Sequence, residues 1–206
     1  MHPLSRSLNL LHFRFGWKVE WHMSLGDAKS EIVKDIIHRA QTAKSHSDPF
    51  TLVECGSYGG YSTVLFGSLL SPSDRLISIE SVPDYSEISS ALCARAGLTN
   101  VKFISKSAND AIKEFKTANT FTRPIDVLFL DHDKDEYLPT LRAFESCGLI
   151  GRGTVIIADN VIYPGCPAFS IYVRTAPEHY QCTLHATHNG YEPDVVDGVE
   201  EIIRLK

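Results

Sequence analysis

The sequence predicts an α/β fold in which helices cover both faces of a doubly wound, mostly parallel sheet with a C-terminal antiparallel hairpin. Residues 125–130 and 154–158 form apolar runs rich in Val, Ile, Leu and Phe, which are typical of buried parallel strands. Strand-like and helix-like segments alternate along most of the chain, as right-handed crossovers between parallel strands require. Near the end, two strand-like segments follow each other without a helix, and this predicts the hairpin.

The elements follow one another in a regular order. Residues 27–44 place apolar side chains on one helical face, and glycines at 97 and 148 are typical helix stops. The expected helices are 27–44, 62–70, 85–96, 109–115 and 136–147. The expected strands are 50–55, 76–79, 101–104, 125–130, 154–158, 179–188 and 198–205.

The composition indicates one domain. The chain has 206 residues, of which 43% are hydrophobic, which is enough for one sizeable core but short for two. We therefore expect a poorly specified lead-in over 1–20 and a single domain over 21–206. The net charge of −5 argues against a nucleic-acid partner.

Location and assembly are expectations from the same composition. No apolar stretch approaches the ~20 residues that cross a bilayer, so no membrane partner is expected. The five cysteines are scattered and odd in number, which indicates reduced thiols and a cytoplasmic location. We expect a monomer or a weak dimer.

Three polar residues stand directly after the two apolar runs. Asp131 follows the first run, and Asp159 and Asn160 follow the second. Ligands of open α/β sheets bind outside the carboxyl ends of the strands, so these side chains are expected to converge there. Two carboxylates and an amide oxygen form a hard, oxygen-only set that suits Mg²⁺. Lys134 places an amine beside this set, although alone it would be read as a solvated surface lysine.

A glycine-rich loop follows the first expected strand. Residues 54–62 read Glu-Cys-Gly-Ser-Tyr-Gly-Gly-Tyr-Ser, and Glu80 ends the next strand, where acids bind ribose hydroxyls in such folds. The Gly-x-Gly-x-x-Gly pattern of dinucleotide sites is missing. Together these features favour S-adenosylmethionine over NAD, while the alternative is that the glycines serve only a tight turn.

Several stretches resemble catechol O-methyltransferase, a class I S-adenosylmethionine-dependent methyltransferase with a Rossmann-like sheet. The similar stretches are 21–27, 52–83, 129–135, 153–167 and 195–198, and they span almost everything after residue 20. The resemblance implies Mg²⁺-dependent transfer of a methyl group to one hydroxyl of a small catechol or related diphenol.

The resemblance also implies roles for individual residues. Mg²⁺ would be held by Asp131, Asp159 and Asn160, and Lys134 would be the general base, with Glu192 as a second catalytic residue. The cofactor site would comprise Met23, Leu25, Glu54, Gly56, Tyr58, Ser62, Glu80, Ser81, Ala108, Asn109, Asp131 and His132. The acceptor site would comprise Trp21, Met23, Lys134, Asn160, Pro164 and Glu192.

Some positions depart from the family pattern. Asp133 stands where the family has an aromatic residue, and Ala108 replaces a serine. The family's late acid aligns with Tyr191, next to Glu192. These departures leave two alternatives open: an O-methyltransferase for another diphenol, and a cofactor-binding homologue with weak or no catechol activity. A Rossmann dehydrogenase is opposed by the missing glycine fingerprint.

Overall fold

The computed structural model describes residues 25–44, 47–189 and 194–206. Its seven strands form one sheet in the order β3-β2-β1-β4-β5-β7-β6. Strands β1 to β5 are parallel, whereas β7 runs antiparallel to both β5 and β6. The strands are β1 Thr51–Cys55, β2 Arg75–Glu80, β3 Val101–Ser105, β4 Val127–Leu130, β5 Val155–Ala158, β6 Tyr180–His188 and β7 Val196–Arg204.

Six α-helices lie in the described part of the chain. They are α1 Gly26–Ala43, α2 Tyr61–Leu69, α3 Pro83–Arg95, α4 Ala108–Thr117, α5 Tyr137–Ser146 and α6 Pro167–Arg174. A 3₁₀ turn, Lys134–Glu136, precedes α5, and a π-helical segment, Val161–Gly165, follows β5. The predicted fold class is thus confirmed, including the antiparallel hairpin at the end of the chain.

Most element ends shift by one or two residues from the expected bounds, and two differences have a local explanation. Strand β4 begins at Val127 rather than 125, and the Ile125 amide donates to the Leu149 carbonyl (2.9 Å) rather than to a neighbouring strand. Helix α6 was not predicted at all, since the breakers Pro164, Gly165 and Pro167 surround its start in sequence. In the structure Pro167 occupies the first turn of α6, where a missing N–H costs nothing.

Helices cover both faces of the sheet. On one face, α4, α5 and α6 pack through Ile112, Leu141, Phe144, Phe169 and Val173. On the other face, α1 and α2 pack through Val33, Ile36, Ile37, Leu65 and Phe66. Because both faces are covered, the four residues of β4 are all buried, which explains the continuous apolar runs of the central strands.

Two further features concern membrane-spanning helices and cysteine pairing. Within the described residues, no helix is both long enough and apolar enough to span a bilayer. All five cysteines lie in the described ranges and are free thiols.

Candidate active site

The carboxyl ends of β4 and β5 bring the predicted metal ligands together. The Asp131 amide donates to the Cys55 carbonyl (2.9 Å), and the Asp159 amide donates to the Leu130 carbonyl (3.0 Å). The ladder therefore extends through both acids and places them at neighbouring strand ends. Asn160 follows in the left-handed region with φ of 56°, which turns the chain out of β5. The convergence expected from the apolar runs is what the structure shows.

Oxygen atoms of these residues are available for a cation. Oδ1 of Asp159 contacts the Asn160 amide (2.8 Å) and Lys29 Nζ (2.7 Å), and Oδ1 of Asp131 contacts Lys134 Nζ (3.0 Å). Among the described residues, none donates a hydrogen bond to Oδ2 of Asp159 or to Oδ1 of Asn160. This oxygen-only set fits a hard divalent ion.

The amide of Asn160 is essential to that set. Within residues 25–44, 47–189 and 194–206, no group of three His, Cys, Asp or Glu side chains has the arrangement of a metal site. A cation at this edge would therefore depend on two carboxylates and one amide oxygen, completed by water or substrate. Mg²⁺ commonly binds through one or two carboxylates and keeps its remaining positions for such ligands.

The two acids are held close despite their charges. Burial raises the pKa of Asp159 to about 6, and the negative charge of Asp131 acts in the same direction. The positive charges of Lys29 and Lys134 act in the opposite direction. Two carboxylates that repel each other and are only partly neutralised by lysines make a site that favours an added cation.

Lys134 is fixed beside these acids rather than solvated. Its amine donates to Asp131 Oδ1 (3.0 Å) and to the Tyr137 hydroxyl (2.6 Å), and its side chain is 18% exposed. The hydroxyl of Tyr137 in turn donates to the Asp159 carbonyl (3.0 Å). Tyr137 therefore connects the lysine to the end of β5, a contact that the sequence analysis missed.

The glycine loop is tied down by Glu80. One carboxylate oxygen accepts the amides of Ser57 (3.1 Å) and Tyr58 (2.9 Å), and the other accepts the Val82 amide (2.9 Å). Three backbone donors therefore converge on one buried carboxylate. Glu80 organises the loop in addition to any contact with a ribose, and the ribose contact itself stays a prediction.

Gly56 is required by the neighbouring strand. Its φ is +93°, and an added Cβ would collide with the backbone carbonyl of Asp131. The loop can therefore approach the end of β4 only because residue 56 has no side chain. This geometry supports the alternative that Gly56 serves a tight turn. A role of Gly56 in cofactor binding stays a prediction.

Glu54 lies in a cage of hydroxyl groups. Ser62 donates to one carboxylate oxygen (2.5 Å), and Thr63 (2.6 Å) and Ser78 (2.7 Å) donate to the other. The side chain is fully buried, and this burial raises the pKa of Glu54 to about 7 against the effect of the three donors. Its contribution to a cofactor site would therefore be to orient Ser62.

The expected adenine side is less tightly organised. His132 Nε2 pairs with the Thr140 hydroxyl (2.9 Å), and its ring stacks on Tyr137 at 5.2 Å between centroids. Burial, with help from the charge of Lys134, lowers the pKa of His132 to about 4, so the ring is neutral at pH 7. Asn109 donates to Glu136 (3.1 Å), and Ala108 is the first residue of α4.

The remaining predicted residues fall into two groups. Leu25 is buried with 2% exposure at the start of α1, whereas Ser81 and Pro164 are exposed. Trp21, Met23, Tyr191 and Glu192 lie outside the described residues, so their predicted roles stay predictions.

Sequence reasoning missed two charged residues next to the predicted metal ligands. Lys29 on α1 contacts both Asp159 (2.7 Å) and Asp197 (2.5 Å), and Asp197 accepts from Asn160 Nδ2 (2.7 Å). The only sequence signal for Asp197 was its place in the stretch 195–198, to which no chemistry had been assigned.

A parallel sheet with acids at the ends of β4 and β5, a glycine loop after β1 and an acid ending β2 defines a nucleotide-binding class of α/β protein. Residues 22–170 match the family model described as O-methyltransferase. The chain belongs to the O-methyltransferase family.

Individual relatives of the chain are catechol O-methyltransferases. The chain is 39% identical to catechol O-methyltransferase of Bos taurus over 89% of this chain and 64% of that protein. It is 40% identical to catechol O-methyltransferase B of Danio rerio over 90% of this chain and 67% of that protein. The resemblance inferred from the motifs is therefore confirmed, although the chain spans about two thirds of the length of these relatives.

A solved structure shows the same fold. The O-methyltransferase TomG of Streptomyces achromogenes, which is involved in tomaymycin synthesis and was solved in complex with SAM, superposes with a TM-score of 0.79 at 18% identity. The match covers 100% of this chain and 91% of that one.

Proposed function

We propose that the chain transfers a methyl group from S-adenosylmethionine to one hydroxyl of a catechol-type acceptor in a reaction that depends on Mg²⁺. The observation that carries this proposal is the set of available oxygens on Asp131, Asp159 and Asn160, with the amine of Lys134 beside it. The catechol O-methyltransferase relatives support the acceptor class.

The proposed metal explains why the acceptor would carry two adjacent hydroxyls. A divalent ion held there would lower the pKa of the acceptor hydroxyl to be methylated. The residues that would hold it are Asp131, Asp159 and Asn160. A single phenol hydroxyl would lack the second contact and would bind less well.

Lys134 would remove the proton. In its neutral form the amine would accept the hydroxyl proton, while the acceptor oxygen would bond to the methyl carbon and the sulfur–carbon bond would break to leave the thioether. Asp131 and Tyr137 fix the position of the amine from two sides. Alignment of oxygen, carbon and sulfur supplies much of the acceleration, because well-oriented reactants gain roughly 7–11 kcal/mol.

The cofactor would lie over the ends of β1 and β2. The loop fixed by Glu80 presents the backbone of Ser57 and Tyr58 at this edge, and Ser62 lies in the first turn of α2 behind it. We propose that the remaining predicted cofactor residues act here as the family resemblance implies. We also propose a cytoplasmic enzyme that is a monomer or weak dimer and needs neither nucleic acid nor membrane.

A second candidate is the same transfer to a more polar diphenol. The exposed Asp133 uses Oδ1 to accept the Asp135 amide (3.0 Å) at the start of the 3₁₀ turn. A carboxylate therefore stands next to Lys134 in place of the family's aromatic residue. Such a group favours an acceptor with polar or cationic substituents over a plain catechol.

The test is a methyl-transfer assay with a panel of acceptors, with Mg²⁺ and with EDTA. We expect transfer to 1,2-diphenols only when Mg²⁺ is present. The matched control is resorcinol, whose hydroxyls are not adjacent and which should react at least tenfold more slowly. A panel that also contains polar and cationic catechols distinguishes the two acceptor classes. Equal transfer in EDTA, or no transfer to any diphenol, would reject the proposal.

A further inference from the structure

We propose that Asp197 is a positioning residue for the metal site, because it fixes the side-chain amide of Asn160 with the carbonyl oxygen facing the cation. This inference rests on the proposed function, since it requires the metal site at Asp131, Asp159 and Asn160. Asp197 would not contact the metal itself. Its role would be to select one of the two orientations of the Asn160 amide.

The orientation follows from donor and acceptor chemistry. Oδ2 of Asp197 lies 2.7 Å from Nδ2 of Asn160, and Oδ1 accepts the Tyr163 amide (3.0 Å). An ionised carboxylate only accepts hydrogen bonds, so Asn160 must turn its NH₂ group toward Asp197. Its carbonyl oxygen then points to the other side, where no described residue donates to it. A rotated amide would present NH₂ to the cation and could not serve as a ligand.

Lys29 pairs with Asp197 in this buried place. The Asp197 side chain is 0% exposed, and Lys29, at 3% exposure, bridges it to Asp159. One lysine therefore connects two proposed ligands, directly to Asp159 and through Asp197 to Asn160.

The contacts among Lys29, Asp159 and Asp197 are not needed merely to attach α1 to β7. Arg39 on the same helix already forms a two-pronged ion pair with Glu201 on β7, at 2.6 and 2.9 Å. The Arg39–Glu201 pair is therefore a matched control. It joins the same helix and strand but touches none of the proposed metal ligands.

The experiment measures Mn²⁺ binding by electron paramagnetic resonance, with Mn²⁺ as the probe for the Mg²⁺ site and Asp131→Ala to define the specific signal. We expect Asp197→Ala to weaken Mn²⁺ binding about 10–100-fold, the usual effect of losing a partner that orients a ligand. Asn160→Ala should weaken binding at least as much. The double variant should bind no more weakly than Asn160→Ala alone, because Asp197 acts through Asn160.

The controls separate this inference from the proposed function. Glu201→Gln should leave Mn²⁺ affinity unchanged. If Asp197→Ala does not fold, Asp197→Leu carries the same cycle, because leucine is close to aspartate in size and has no acceptor for Nδ2 of Asn160. Absence of a specific Mn²⁺ site in the parent would overturn both proposals. Parent-like affinity of the Asp197 variant, or losses that add to those of Asn160→Ala, would overturn only this one.

Discussion

Removal of the Glu80 carboxylate should loosen the glycine loop before any cofactor is present. In the structure Glu80 accepts the amides of Ser57 (3.1 Å), Tyr58 (2.9 Å) and Val82 (2.9 Å), and its side chain is 7% exposed. A buried donor that loses its partner costs about 1–3 kcal/mol, but water can enter the space that Glu80→Ala leaves. We therefore expect a loss of about 2–4 kcal/mol in the free energy of unfolding.

Denaturant unfolding of the cofactor-free protein measures this loss directly. For a chain of this length, the expected loss corresponds to a decrease of about 4–16 °C in Tm. Calorimetry with S-adenosylmethionine should show weaker binding as well, by about 1.5–3 kcal/mol if Glu80 also binds the ribose. Glu87, which is exposed on α3, provides the matched control in Glu87→Ala. If Glu80→Ala unfolds like the parent, the loop does not depend on this carboxylate and our reasoning is wrong.

Four further predictions concern the site and its supports. Asp131→Ala should abolish Mg²⁺-dependent transfer with the fold intact, and near-normal turnover would contradict its role as a ligand. Lys134→Ala should lower kcat by roughly 10²–10⁴ and recover in part at high pH, whereas Lys134→Arg should not restore turnover because guanidinium cannot accept the proton. Gly56→Ala should cost at least about 1–3 kcal/mol of stability, compared with a smaller cost for Gly97→Ala, whose surroundings are open within 4 Å. Burial raises the pKa of Glu54 in the folded state to about 7, so folding favours its protonated form. The parent should therefore lose stability relative to Glu54→Gln as pH rises from about 4.5 to above 7. If the free energy of unfolding changes with pH equally in both proteins, this prediction is wrong.

The acids at the strand ends could be predicted because their placement depends only on local pattern. An apolar run marks each buried strand, and parallel strands open their carboxyl ends on one edge. The sequence therefore places Asp131, Asp159 and Asn160 together without knowledge of the packing. The same reasoning places Lys134 near them, since it follows Asp131 by three residues.

The partners of these residues could not be predicted, because they come from long-range pairing. Asp197 reaches Asn160 only because β7 inserts antiparallel beside β5, with Ala158 opposite Glu200. A hairpin pattern in sequence does not say which of its strands joins the sheet. Lys29 likewise depends on how α1 crosses the face of the sheet, which periodicity does not fix.

The structural contacts of two glutamates could not be predicted, because a buried glutamate can bind either a cofactor or groups of the protein itself. Glu54 and Glu80 both fit the expected pattern of a cofactor site, but their carboxylates also hold protein groups, three hydroxyls in one case and three backbone amides in the other. The sequence spacing of these partners does not show whether a glutamate binds protein groups or a cofactor.

The central claim is that one divalent ion binds Asp131, Asp159, Asn160 and both oxygens of a vicinal diol. The most direct measurement is an anomalous difference map from crystals grown with Mn²⁺, S-adenosylmethionine and an unreactive catechol analogue. We predict one peak within about 2.0–2.6 Å of an oxygen from each of the three side chains and of both analogue oxygens. The account would be contradicted by a peak that excludes these side chains, or by an analogue that binds at this edge with no metal between it and the two acids.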